Sequence, residues 1–584
     1  MRKLKNARRW LRAAMLLALS SLFAGTAFAQ TTLVHYKFKF GAATNPTPAG
    51  YLRVSPANLY TKAYAADTVV GYYGFQNWQH NRLGVVDRGG SDTLHRDFIS
   101  NFDSADITPA VFYHNSPFYF SVNVPEGKYR VKVTMGDPAD TAVTTIKGET
   151  RRLLLKDFVT APGQYVTKTF SLIRRDPAIK GTTKSVGLDF TNGRENPIIC
   201  LNWDRKLTLE FNGRRPCISA VEVTQVPDTT GTTIHLCGNS TLVEWENEPW
   251  TAWGTMLPAF FDTNVFTNDL ASSGLTSSSF LAQLRLAKIC SMMNKGDYLI
   301  FEFGHNDSKT GGVSTTQFAA NMAIYRDSAL AHGANMVYVT PTARLADTDS
   351  STSIGGYAQL VRTTAASLNT PFIDLNAAVI HINAAIPTQL YCWVTADSLY
   401  PDQPPTQDST HFIDFGAYTL AKWVAYQGMR NAGIPVRVHL YDTAAVFNAS
   451  QPLNPAATTD PDTFATWHLA CGIDTVYRHP SSTVLATIVT GTKAVAAPVI
   501  AGGENPITVN AEAGSVAFTV TESGGAKFIV YSIDGRKIMQ MTAVAAPSQK
   551  TMKWEALCHL PQGTYFLEME INGRSRGKVE FQRR

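Results

Sequence analysis

The hydrophobic pattern of the chain changes period at Pro227-Asp-Thr-Thr-Gly231, and that break constrains the fold more than any other feature. Before it, from about Thr31 to Asp228, short alternating runs such as Phe118-Tyr-Phe-Ser-Val-Asn-Val and Tyr129-Arg-Val-Lys-Val-Thr are separated by turn signals such as Pro125-Glu-Gly-Lys. No helical period is present, so residues 30–228 are expected to form an all-β unit, a sandwich or jelly roll. Its last runs, Leu207-Thr-Leu-Glu-Phe and Ile218-Ser-Ala-Val-Glu-Val, read as a closing strand pair.

After the break, short β runs alternate with helical segments. Strands are expected at Thr233 to Leu236, Tyr298 to Phe303, Met336 to Thr340 and Phe372 to Leu375. Helices are expected at Thr316 to His332, where Phe318, Met322, Tyr325 and Ala329 recur at helical spacing, and at Gly356 to Leu368 and Ala417 to Arg430. Such alternation predicts a mostly parallel sheet wrapped by helices, a three-layer α/β domain over 229–435. Residues 436–510 are Pro/Thr/Ala-rich without a period and read as a linker. The last stretch, 511–584, is β-rich and predicts a small β-sandwich. With 584 residues the chain is too long for one core, so function has to be assigned unit by unit.

Residues 1–29 stand apart. Arg2, Lys3, Lys5, Arg8, Arg9 and Arg12 precede an apolar stretch from Ala13 to Phe23, and Ala27-Phe28-Ala29 comes after it. That order predicts a secretory signal peptide cut after Ala29, and the apolar stretch is shorter than the roughly 20 residues of a membrane anchor. The formal net charge of +6 resides in this segment, since its six cations meet no acidic residue before position 30. The remainder has no basic field to attract nucleic acid or anionic membranes, whereas neutral glycans stay compatible. The seven cysteines, at 200, 217, 237, 290, 392, 471 and 558, contain no C-x-x-C pair and no Cys/His zinc spacing, so no metal centre is expected. Cys200 and Cys217 are the nearest pair for a disulfide, and an odd count leaves at least one thiol over.

Three short texts in the α/β region carry chemistry. The strand ending at Leu236 runs into Cys237-Gly-Asn-Ser240-Thr, which places Ser240 at the carboxyl edge of the sheet, where open α/β folds bind ligands. Ile300-Phe-Glu-Phe-Gly304-His305-Asn306-Asp307 breaks from an apolar strand into polar residues and offers an amide donor at Asn306. Gln407-Asp408-Ser-Thr-His411-Phe puts a carboxylate three residues before an imidazole, close enough on a turn to fix its tautomer. Alone, each text reads at least as readily as a cap or loop, and the serine and Asp-x-x-His texts more readily so. Together they supply nucleophile, base, orienting acid and oxyanion donor.

In that order the texts resemble the SGNH (GDSL-like) hydrolases, and more closely the rhamnogalacturonan acetylesterase group, carbohydrate esterase family twelve, over about residues 232–433. The resemblance implies Ser240 as nucleophile, His411 as general base and acid, Asp408 as its orienter, and an oxyanion hole from the Ser240 and Gly274 amides and the Asn306 side chain. It implies acetyl-ester hydrolysis on plant polysaccharide, foremost rhamnogalacturonan in pectin, without metal or organic cofactor; acetylated xylan and a purely glycan-binding role remain as alternatives. Asn239 stands where the family has aspartate, and Asp269 and Leu275 where it usually has asparagine and arginine. The first unit resembles galactose-binding or carbohydrate-binding jelly rolls, in which Tyr72, Tyr73, Phe75 and Trp78 are readable as sugar platforms but more readily as core. Tyr531-Ser-Ile-Asp-Gly-Arg and Leu560-Pro-Gln-Gly-Thr-Tyr resemble type IX secretion sorting domains, which implies the secretion machinery as partner and a protein released from the cell or held on its surface after passing the periplasm.

Overall fold

The computed structural model describes most of residues 33–443 and the strands between Ile507 and Arg583. Outside the described residues lie 1–32, 63–66, 77–82, 102–116, 191–194, 196–200, 247–249, 349–350, 386–390, 395–405, 444–506 and the turns of the last unit. These stretches include the expected signal peptide, Trp78, Cys200 and most of the 436–510 linker. Among the described residues no helix is long and apolar enough to cross a membrane.

The first unit is two largely antiparallel sheets. One runs Val166–Arg174, Gly127–Met135, Ile218–Val226, His35–Phe40, Leu52–Val54, with the hairpin of Gly84–Asp87 and Asp97–Ser100 attached through Ile218. The other runs Arg152–Thr160, Ala142–Gly148, Lys206–Arg215, Phe118–Asn123, Tyr73–Gln76, Leu59–Tyr60. Period two explains the stacking: along Gly127–Met135, Tyr129, Val131, Val133 and Met135 are buried while Lys132 is exposed. They share one core with residues of the other sheet; Phe38 and Phe40 each lie 4.9 Å from Phe120. Tyr73 and Phe75 belong to this core. The expected closing pair is corrected: Lys206–Arg215 pairs with Phe118–Asn123 and Ala142–Gly148, whereas Ile218–Val226 pairs with His35–Phe40 and Gly127–Met135. Pro216, lacking an N–H, ends the first ladder, and the chain crosses to the opposite sheet. The expected Cys200–Cys217 disulfide is also corrected, since Cys217 is a free thiol enclosed by Val86, Phe98 and Ala142.

The central unit is a five-stranded sheet, parallel throughout, in the order Val265–Asp269, Thr232–Gly238, Tyr298–Glu302, Asn335–Val339, Phe372–Ile373. Both faces are covered, because neighbouring residues enter opposite apolar clusters. Ile300, Val337 and Val339 face a cluster with Phe415 and Leu420, while Phe301, Met336 and Tyr338 face one with Phe318, Met322 and Tyr325. Continuous apolar strands are what a sheet buried on both sides requires. The helices expected at 316–332 and 356–368 form at Thr315–Ala331 and Tyr357–Ser367. The fourth expected strand stops at Ile373, because the Thr340 hydroxyl accepts from Asn376 N at 2.8 Å and starts a helix at Leu375–Ala385. The last helix begins at Asp414 rather than Ala417 and passes through a π turn at Val424–Gly428. Val265–Asp269, which the sequence pattern does not reveal, is buried despite its polar text Thr-Asn-Asp.

The two units are joined by a buried polar seam. Arg152 makes a two-oxygen salt bridge to Glu244 at 2.6 and 3.1 Å with both side chains essentially inaccessible, Lys288 reaches Glu126 at 2.5 Å, and Leu153 enters the core of the α/β unit. Removing one member of such a pair strands the other charge, which fixes the units against each other. At the C-terminus, strands from Ile507 to Arg583 form a three-stranded and a four-stranded antiparallel sheet, beginning slightly before the expected boundary at 511.

Candidate active site

In a parallel sheet of this order the chain adds strands first to one side and then to the other of Thr232–Gly238, so the switch lies between Thr232–Gly238 and Tyr298–Glu302, and the crevice beyond the carboxyl ends of those strands is where such folds place ligands. Ser240 and Asn306 lie just past those two strand ends. At Gly238 a Cβ would come within 2.9 Å of Leu242 Cβ and 3.0 Å of the Glu302 carbonyl oxygen, so the turn that presents Ser240 needs the glycine. The Asn239 carbonyl closes the turn by accepting from the amides of Leu242 and Val243 at 3.1 and 3.0 Å.

His411 Nε2 lies 2.9 Å from Ser240 Oγ, and His411 Nδ1 lies 2.8 Å from Asp408 Oδ2. The sequence suggests a turn for Asp408 and His411; they stand instead within Thr406–Phe412, paired with Tyr391–Val394. Tyr391 opposes Phe412 while Trp393 opposes Gln407, so residues 408–411 form a wide bulge. Bulges re-aim side chains, and this one turns both toward Ser240. Asp408 Oδ1 holds the bulge by accepting from the amides of Thr410 and His411 at 2.9 and 3.0 Å. Burial opposes ionisation of Asp408, but the hydrogen bond and charge of His411 and the two amides outweigh it and hold its carboxyl down to about 2.

The oxyanion candidates form a connected set. Ser272 N donates to the Gly238 carbonyl at 3.4 Å, which ties the loop of Gly274 to that of Ser240. Gly274 is exposed, with φ of 83°, a left-handed conformation that suits glycine. Asn306 Nδ2 donates to the Leu275 carbonyl at 3.0 Å, and Lys309 Nζ donates to Asn306 Oδ1 at 2.6 Å. With its oxygen and one amide proton engaged, Asn306 is oriented to offer the second proton. Asp307 fastens this loop by accepting from the amides of Ser277 and Gly304 at 2.8 and 3.1 Å. His305 is no second base: burial first, and then the charge of Arg344, lowers its pKa to about 3.

Sequence reasoning missed two tryptophans and a buried acid. Trp245 donates to the Ser240 carbonyl at 2.8 Å and meets the His411 ring edge-on at 5.4 Å; Trp250 stacks on Trp245 and donates to Asp408 Oδ2 at 3.3 Å. Two tryptophans within six residues in Trp245-Glu-Asn-Glu-Pro-Trp250, with no helical period, were the available signal. The family departures are also buried. Leu275 packs in the core, and Asp269, its carboxyl pushed well up by burial, accepts from Ala271 N at 2.8 Å. Asn239 Oδ1 accepts from the amide and hydroxyl of Thr241 at 3.1 and 2.9 Å, while its Nδ2 has no hydrogen-bond partner among the described residues.

Glu302 completes this layer, with Oε1 2.9 Å from the Thr241 hydroxyl and Oε2 3.1 Å from Trp253 Nε1. One hydroxyl proton cannot serve both Asn239 and Glu302. Burial raises the Glu302 pKa to about 7, so its protonated form donates to Thr241, which donates onward to Asn239. A carboxyl raised in the folded state stabilises it fully below the unfolded pKa of 4.5, and that contribution is lost as pH rises through about 7. The expected cost between those limits is on the order of 3 kcal/mol, and Glu302→Gln, which mimics the neutral acid, should flatten it. Melting of the α/β unit from pH 4.5 to 8 measures this; a wild type and variant that decline in parallel would remove Glu302 as the cause.

Residues 230–401 match the GDSL-like Lipase/Acylhydrolase family. The chain is 30% identical over 218 residues to rhamnogalacturonan acetylesterase RhgT of Bacillus subtilis, covering 35% of this chain and 93% of that protein. It is 24% identical over 212 residues to the probable rhamnogalacturonan acetylesterase YesY of the same organism, covering 35% and 94%. The uncharacterized esterase YxiM of Bacillus subtilis is 24% identical over 415 residues, 68% of this chain and 91% of that one. That share exceeds everything from residue 229 to the end, so the match extends into the β unit that precedes the site. Through its central domain the chain belongs to the GDSL-like lipase/acylhydrolase family and is homologous to rhamnogalacturonan acetylesterases.

Proposed function

We propose that this protein is a secreted serine esterase that removes O-acetyl groups from plant cell-wall polysaccharide, with the rhamnogalacturonan of pectin as its substrate. The observation that carries the reading is the hydrogen-bonded series from Ser240 Oγ through His411 to Asp408, at 2.9 and 2.8 Å. The homology to rhamnogalacturonan acetylesterases supports the substrate class.

In this reading Ser240 Oγ attacks the acetyl carbonyl carbon as His411 Nε2 takes the hydroxyl proton. The new oxyanion accepts from the Ser240 and Gly274 amides and from Asn306 Nδ2. Collapse expels the sugar oxygen, which takes the proton from His411 and leaves acetyl-Ser240. Water then attacks the acetyl carbon as His411 takes its proton, and His411 returns that proton to Ser240 Oγ as acetate leaves. The signal peptide at 1–29 and a type IX sorting role for 511–584 account for export, and the β unit at 30–228 is read as carbohydrate-binding.

The test is acetate release by the full chain from acetylated rhamnogalacturonan, acetylated homogalacturonan and acetylated xylan. Rhamnogalacturonan is expected to be deacetylated fastest; faster release from xylan would move the substrate to hemicellulose, and polysaccharide retention without acetate would leave a binding protein. Asn239→Asp should change turnover by less than about tenfold, the scale of one neutral hydrogen bond, because the same accepting oxygen is kept.

A further inference from the structure

The acid–base pair of the site is braced by a residue outside the α/β unit. Arg151 comes from the β unit, at the turn between Ala142–Gly148 and Arg152–Thr160, and its side chain is 3% exposed. Its guanidinium donates to the Trp250 carbonyl at 2.7 Å, to the Thr251 hydroxyl at 3.1 Å and to Asp414 Oδ1 at 3.2 Å. Each of these partners is one step from the chemistry. The Trp250 indole donates to Asp408; Thr251 N donates to the carbonyl of Phe412, the residue after His411, at 2.8 Å; Asp414 opens the helix just beyond His411. Thr251 also hydrogen-bonds Asp414 directly. One guanidinium therefore clamps the segment carrying Trp250 to the segment carrying His411.

The turn that carries Arg151 has an uncommon backbone conformation. Glu149 and Arg151 have φ of 51° and 60°, left-handed conformations that non-glycine residues rarely adopt, on a turn that projects across the seam. Strain of this kind persists only where surrounding contacts over-determine it, and it gathers at functional sites. The planar fork of arginine suits the three divergent acceptors, which a single ammonium cannot all reach.

We infer that Arg151 is a positioning residue for the Asp408–His411 pair, so that the β unit is a working part of the active site as well as an appendage to it. The inference rests on the serine-esterase reading above. Arg151→Met should lower kcat for 4-nitrophenyl acetate on the order of 10- to 100-fold, as expected for slight misplacement of catalytic groups, with KM within about twofold. Arg151→Lys should recover part of the loss. Because part of the effect passes through the Trp250 indole and part through Thr251 and Asp414, the Arg151→Met/Trp250→Phe double variant should lose more than the worse single variant but less than the product of the two single losses. Glu126→Gln, which weakens the seam at Lys288, serves as the structural control and should lower Tm without changing kcat.

An unchanged kcat in Arg151→Met, or losses that multiply in the double variant, would overturn the inference. Should Arg151→Met fail to fold, Arg151→Lys decides by the same criterion: a lowered kcat at constant KM supports it, and wild-type kcat overturns it. Failure of the underlying reading looks different. A wild-type protein inert toward 4-nitrophenyl acetate and unlabelled at Ser240 by a fluorophosphonate would remove the esterase itself, and the positioning role with it.

Discussion

Ser240→Ala is expected to reduce kcat for ester hydrolysis on the order of 10⁵-fold or more, down to what the oxyanion donors alone sustain over water. Ser240 is 5% exposed, at a strand end, with its hydroxyl in hydrogen-bond contact with His411 Nε2. No other described side chain is placed on His411 Nε2 as Ser240 is. The methyl group of alanine fits where the serine stood, and the lost hydrogen bond is worth about 1 kcal/mol, so Tm should barely move. Nucleophile and base act as one unit, so Ser240→Ala/His411→Ala should be no slower than Ser240→Ala alone. Single-turnover kinetics with 4-nitrophenyl acetate, and mass spectrometry for an acetyl group on Ser240, provide the measurement. Acetate release persisting at wild-type rate in the variant would place the nucleophile elsewhere.

Asp408→Asn should lower kcat about 10⁴-fold, the scale of putting a catalytic histidine in the wrong tautomer. Among the described residues, the four groups on Asp408 all donate: the amides of Thr410 and His411 to Oδ1, His411 Nδ1 and Trp250 Nε1 to Oδ2. An asparagine must turn its NH₂ toward one of those pairs. Neither the backbone amides nor the Trp250 indole can become acceptors, but imidazole can by moving its proton, so turning the NH₂ toward His411 leaves one donor opposed and the other orientation leaves two. The NH₂ therefore faces His411, Nδ1 becomes the acceptor, and Nε2 carries the proton toward Ser240, where it cannot take another. The carboxyl held at about 2 adds a stability signature. A depressed carboxyl stabilises the fold above its unfolded pKa of 3.8 and loses that contribution as pH falls toward about 2, so Asp408→Asn should remove this acid-side slope. A variant that keeps wild-type kcat would show that Asp408 does not set the tautomer.

Ser240 and Asn306 were legible because each follows an apolar strand that ends just before it, whereas Asp408 and His411 were legible only as a short Asp-x-x-His text, their strand being too polar to register. Val265–Asp269 was not legible: its buried Thr267, Asn268 and Asp269 break the apolar signal, and only sheet pairing with Thr232–Gly238 identifies it. The supposed closing pair of the β unit failed for a related reason. Alternation shows that Lys206–Arg215 and Ile218–Val226 are strands, but both patterns are satisfied equally whether they pair or face each other across a core. The disulfide expectation failed because proximity in sequence says nothing about where a side chain points, and Cys217 points into an apolar pocket.

The sequence alone marked the break at 227–231, the α/β alternation that follows it, and Ser240, Asn306, Asp408 and His411 as candidates for chemistry, with Gly274 joined to them by the family resemblance. Apart from Gly274, these are local properties: period, turn residues and short texts. Tertiary structure alone decided that residues 408–411 leave the ladder as a bulge, that Trp245 and Trp250 wrap the acid–base pair, and that Arg151, 99 residues before Trp250, reaches its carbonyl from another unit. Each depends on groups far apart in the chain meeting where water is excluded. An unmet hydrogen bond is costly there, and no local pattern records which distant partner will satisfy it.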